Sequence, residues 1–133
     1  MIWVIDASAL IRLFIPDGPV LAEAEAALNG ASVGNDMLLA PDLLLVEISN
    51  VLIRKLRRGE LSAQEYDELL PVIIALPIRL VEHSPLILAA SGLARTHNLS
   101  AYDALYLALA EHHGAPLLTC DVDLAKVARS IGV

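Results

Sequence analysis

The chain is 133 residues long, 56% of them apolar, with nine Lys plus Arg against sixteen Asp plus Glu for a net charge of −7. That length fits one ordinary domain, and the acid excess argues against nucleic-acid binding by overall positive charge. No uninterrupted apolar run reaches the ~18 residues of a membrane-spanning helix, so the mean hydropathy of +0.63 points to apolar surface kept for a partner or a second copy.

The first element is a strand over Ile2 to Ile5, ended by Asp6. Asp6 and Arg12 interrupt any signal-peptide core, so a cytoplasmic protein is expected. Helices over Ala9 to Phe14 and Val20 to Leu28 follow, divided by the turn residues Pro16-Asp-Gly18. Gly34-Asn-Asp36 leads into a strand over Met37 to Ala40 and a helix over Leu43 to Arg58, stopped by Gly59. Ser62-Ala-Gln-Glu65 has capping-box spacing and starts a helix over Ala63 to Ala75 that Pro71 is expected to kink. Leu69, Leu70, Ile73 and Ile74 of that helix offer either core or dimer surface. A strand over Ile78 to Glu82, helices over Leu86 to His97 and Ala101 to His113, a strand over Pro116 to Thr119 and a helix over Leu124 to Ser130 complete the chain. Short apolar runs alternating with helical patterns predict βαβ units and a parallel sheet covered by helices on both faces. With no linker or repeat, residues 1–133 read as a single domain.

Four acids stand in apolar sequence: Asp6, Glu47, Asp103 and Asp121. Burying a carboxylate costs several kcal/mol unless something positive compensates it, and a divalent cation is the simplest common compensation. Open parallel sheets bind ligands beyond the carboxyl ends of their strands, which is where Asp6 and Asp121 fall. Each acid except Glu47 also has a structural reading. Asp6, with Ser8, suits a helix cap; Asp103 completes the cap spacing begun by Ser100; Asp121 caps the last helix, with Asp123 in its first turn. Glu47 lies in mid-helix with apolar neighbours, and its alternative is a snorkelling or ion-paired acid.

Glu47, Asn50, Arg54 and Arg58 follow spacings of three, four and four, which align them on one helix face. Arg54 and Arg58 suit either a helix C-terminus or bidentate contacts to a nucleic-acid backbone. His112 and His113 read as surface residues at a helix end, and His83 and His97 lack ligand spacing. The lone Cys120 excludes an internal disulfide and a thiolate zinc site. Hard oxygen donors favour Mg²⁺ or Mn²⁺.

The opening Val4-Ile-Asp6-Ala-Ser8-Ala-Leu10, the segments Glu47-Ile-Ser-Asn50-Val-Leu52 and Leu99-Ser-Ala-Tyr-Asp103-Ala-Leu-Tyr106, and the closing Leu118-Thr-Cys-Asp121 together resemble the PIN-domain family. Within it they are similar to the small VapC-type toxins of prokaryotic toxin–antitoxin pairs. The resemblance implies a three-layer α/β/α PIN-like fold on a mostly parallel sheet of four or five strands, the fifth in doubt because the chain stops at Ile131-Gly-Val133. It makes Asp6, Glu47, Asp103 and Asp121 the acidic metal-binding quartet, supported by Ser8, Asn50 and Thr119, with Asp123 as a further candidate. It also implies an endoribonuclease dependent on Mg²⁺ or Mn²⁺, a homodimer, and a cognate VapB-type antitoxin that blocks the site.

A noncatalytic protein-binding module on the same scaffold is the alternative. A receiver-type signalling domain would need a lysine after a further C-terminal strand, whereas Lys126 falls in a helix. A haloacid-type phosphohydrolase would need a second aspartate where Asp6-Ala-Ser8 has serine.

Overall fold

Parallel pairing of neighbouring strands needs crossover connections, and each strand here is followed by helix. In the computed structural model, which describes residues 1–133, β1 (Ile2–Ile5), β2 (Met37–Pro41), β3 (Ile78–Val81) and β4 (Leu117–Leu118) form one sheet in the order β3-β2-β1-β4. All pairings are parallel, with Ile2 opposite Met37, Leu38 opposite Ile78, and Val4 opposite Leu117. The helices are α1 (Ala7–Arg12), α2 (Ala22–Ser32), α3 (Leu44–Arg57), α4 (Ala63–Ile74), α5 (Ile87–His97), α6 (Ala101–His113) and α7 (Val122–Ile131).

The strand order reverses once. The path from β1 through β2 to β3 steps outward, and β4 then returns to the far side of β1. Right-handed crossovers therefore put α1 to α4 on one face and α5 and α6 on the other, a three-layer α/β/α arrangement. The crevice that ligands use in such sheets opens where the order reverses, beyond the ends of β1 and β4.

One core joins the layers. Val4, Ile5, Leu38 and Leu39 of the sheet meet Leu10, Leu44, Ile48 and Leu52 from one face and Leu107 and Leu109 from the other. α6 is buried without a break from Ala104 to Ala110, an all-round apolar pattern that only a central helix shows. Its alanines allow close approach of α5, where Ala90 packs on Ala104, Leu105 and Ala108.

Several boundaries differ from the sequence reading. α1 starts at Ala7 because Asp6 is its N-cap, with the Ala9 N–H donating to Asp6 Oδ1. α4 runs through Pro71, its capping box at Ser62 and Glu65 formed, and Ile73 joins the core while Ile74 is exposed. The sheet has four strands. The last residues close α7 on Gly132 in the left-handed region (φ 87°). No helix is long and apolar enough to cross a membrane.

Leu107 is wholly buried between the sheet and the α6 side of the core. Leu107→Ala is expected to cost about 2–5 kcal/mol by lost transfer energy and cavity formation. Urea unfolding checks this as a lower midpoint at unchanged slope.

Candidate active site

β1 delivers Asp6 to the reversal point, and its neighbours are arranged around its carboxylate. Oδ1 accepts from the Ser8 hydroxyl at 2.7 Å and the Ala9 N–H at 2.9 Å, while Oδ2 accepts from the Thr119 hydroxyl just beyond β4. The Asp6 N–H donates to the Leu118 carbonyl at 3.1 Å, so the two strand ends are laced together by backbone as well as side chain. Ser8 in turn accepts the Cys120 N–H, and Thr119 accepts the Asp121 N–H, each at 3.0 Å. Asp6 is only 5% exposed.

The other three acids come from helix starts. Glu47 sits in the first turn of α3, half-buried, and its Oε1 accepts from the Tyr106 hydroxyl at 2.5 Å. That bond ties α3, on one face, to α6, on the other. Asp103 lies in the first turn of α6, where its N–H donates to the Ser100 hydroxyl at 3.1 Å. Asp121 caps α7 by accepting from the Leu124 N–H at 2.8 Å through Oδ1, which leaves Oδ2 unbonded. The cap readings of Asp6 and Asp121 are thus real, and both side chains also line the same cavity as Glu47 and Asp103. This cavity holds about 330 Å³ and further includes Ser8, Arg12, Asp17 and Tyr106.

Burial, countered in part by the Thr119, Ala9 and Ser8 hydrogen bonds, holds the Asp6 carboxyl above its usual range. Glu47 is raised by burial and by the charges of Asp103 and Asp6, and Asp103 by burial and Asp121. The same surroundings push the Tyr106 phenol up, so it is a neutral donor. Burial also raises the Cys120 thiol, which is half-buried beside the site.

The donor set suits a hard cation, being all carboxylate oxygen, with burial first and neighbouring charge second holding Asp6, Glu47 and Asp103 above their usual range. No three acids, however, converge tightly enough to grip an ion together. The two observations agree for Mg²⁺ or Mn²⁺, which keep several waters and take only one or two carboxylates directly.

Other residues named from sequence lie further out. Asn50 is exposed and lines a separate groove beside Glu47, while Arg54 and Arg58 are exposed along the same helix and make no ion pair. Asp123 is exposed and does not line the cavity. His112 and His113 stack edge-on at the end of α6. Three cavity residues escaped the sequence reading: Tyr106, Arg12 and Asp17. Tyr106 stands three positions after Asp103 and so shares its helix face, a usable signal; Arg12 and Asp17 carry no comparable one.

The sequence profile of the PIN domain matches residues 3–130. Ribonuclease VapC3 of Pyrobaculum aerophilum is 35% identical over 125 residues, covering 92% of both chains. Ribonuclease VapC1 of Mycobacterium tuberculosis is 33% identical over 122 residues, covering 92% of this chain and 87% of that one. In three dimensions the chain is similar to the crystal structure of PAE2754 from Pyrobaculum aerophilum, with a TM-score of 0.66 and 24% identity over 96% of this chain and 87% of that one. An α/β/α sheet with carboxylates at its reversal point is thus the architecture in hand. The chain belongs to the PIN-domain family and, within it, is of the VapC type.

A carboxyl whose folded pKa is raised binds more protons folded than unfolded, so its contribution to stability falls as pH rises through that pKa. In EDTA, the melting temperature of the parent relative to Asp6→Asn should therefore decline from pH ~4, the ordinary Asp value, towards neutrality. Thermal melts across that range check this; parallel curves for the two proteins would refute the buried-charge assignment.

Proposed function

We propose that the chain is a Mg²⁺- or Mn²⁺-dependent endoribonuclease, the cytoplasmic toxin of a type II toxin–antitoxin pair. One observation carries this reading: Asp6 at the end of β1, Glu47 of α3, Asp103 of α6 and Asp121 at the start of α7 share one solvent-open cavity, and none of the four is ion-paired. A nuclease that attacks phosphodiesters with water needs such a cluster; a structural role does not. The ribonuclease names of VapC3 and VapC1 supply the substrate class.

Asp6, Glu47, Asp103 and Asp121 would hold the metal directly or through water. A bound Mg²⁺ or Mn²⁺ acidifies the attacking water and neutralises the phosphate oxygens. The chain's own groups do the remainder. Thr119, Ser8 and the Ala9 N–H fix both oxygens of Asp6 in one orientation, so no reorganisation is needed when charge develops. Tyr106 fixes one oxygen of Glu47, a residue of the cavity lining, and leaves the other free of side-chain hydrogen bonds. A carboxylate held above its usual pKa is a better acceptor for the proton of the attacking water than an ordinary one. Asn50, and the exposed Arg54 and Arg58 further along α3, would lead an RNA strand towards Glu47.

A second reading, a noncatalytic PIN-scaffold binding module, is favoured by a groove of about 680 Å³ between α3 and α4, where Val46, Ile74 and Tyr102 are exposed. Under the ribonuclease reading the same apolar surface serves a homodimer or a VapB-type antitoxin.

Incubation with a panel of single-stranded RNAs separates the two. Cleavage is expected with Mn²⁺ or Mg²⁺ and not in EDTA, and Asp6→Asn and Asp103→Asn should each lose about 10²-fold or more in rate while remaining folded. The metal should raise the melting temperature of the parent with increasing concentration. Intact RNA throughout would favour the binding module.

A further inference from the structure

Arg12 is the one cationic residue lining the acid cavity, facing Asp6, Asp17, Glu47, Asp103 and Asp121. A guanidinium so placed would be expected to pair with a carboxylate, yet Arg12 makes no ion pair. Its single hydrogen bond runs from Nη1 to the Pro19 carbonyl at 3.2 Å.

The reason lies in the loop after α1. Asp17, the loop's own acid, is taken by Lys55, which is almost buried on α3 and also stands 3.6 Å from Glu60. Burying an ammonium is costly without partners, so Asp17 serves as the counter-charge of Lys55. Gly18 completes the seat: a Cβ there would lie 2.7 Å from Nη1 and 2.8 Å from Cζ of Arg12, so the guanidinium lies against bare backbone. The loop thus holds Arg12 in place without neutralising it, and most of its five donors remain free.

We infer that Arg12, seated on Gly18 and Pro19, is a phosphate-binding subsite at the mouth of the acid cavity, gripping a backbone phosphate of the RNA strand beside the scissile bond. This rests on the ribonuclease reading. It also answers a difficulty in that reading, since a cavity of five carboxylates repels a polyanion and needs a fixed positive charge at its edge as well as cations from solution. A guanidinium matches the geometry of two phosphate oxygens, which a lysine at the same place does not.

The test compares the parent with Arg12→Gln and Arg12→Lys, using at fixed Mn²⁺ a short single-stranded RNA from the panel that the parent cuts. Arg12→Gln should raise KM about 10- to 100-fold with kcat changed far less, the loss expected for a charge-assisted bidentate contact. Between about 50 and 200 mM KCl, the slope of log KM against log salt should fall by about 0.7, one phosphate contact on a single strand. Arg12→Lys should restore that slope while recovering only part of the KM, which a merely structural arginine would not do. A parental KM and salt slope in Arg12→Gln would overturn the subsite and leave the ribonuclease reading standing. A parent that cuts no RNA in the panel would instead overturn the ribonuclease reading, and the subsite with it.

Discussion

The arrangement depends on one buried charge. Asp6 ends β1 where the strand order reverses, and taking its carboxylate out of water would be prohibitive without the three donors that meet it. Those donors come from the helix that Asp6 itself caps and from the residue just past β4, so satisfying one side chain fixes the junction of β1, α1 and β4. The same hydrogen bonds that make the burial tolerable leave the charge only partly compensated, because its pKa stays raised. A partly compensated negative charge at the crevice is what the proposed cation would balance.

The second brace is Tyr106 to Glu47. It joins helices from opposite faces of the sheet through a single short contact, and it explains how Glu47 and Asp103, carried on different layers, come to one cavity. The phenol is a fixed neutral donor, so it orients Glu47 without discharging it. Capping plays a similar double part elsewhere. Asp121 spends one oxygen on the start of α7 and presents the other, while Ser100 takes the cap of α6 and frees Asp103 for the cavity. Structural and chemical roles therefore coincide in these residues.

Much of this was legible in the sequence. β1 and α6 were readable to the residue because their apolar runs are bounded by Asp6, Ser100 and Gly114, and the four acids stood out because each interrupts a hydrophobic run, Glu47 most of all since no cap position accounts for it. The short β4 was overextended, since Pro116 and the β-branched Thr119 flank the apolar pair but only Leu117 and Leu118 pair with β1. Pro71, where a kink was expected, lies inside α4, and the helix continues past it to place Ile73 in the core. Lys55 lies between Arg54 and Arg58 in sequence, and its burial against Asp17 depends on a loop whose path no local pattern specifies. Arg12 was invisible as part of the site for the same reason.

The central claim is that acids from four separate elements share one cation-binding pocket. Diffraction from crystals soaked in Mn²⁺, collected for anomalous signal, tests it most directly. The account predicts a peak inside the cavity, between Asp6 and one or more of Glu47, Asp103 and Asp121. A cavity without density while Mn²⁺ binds elsewhere on this acidic surface would contradict it.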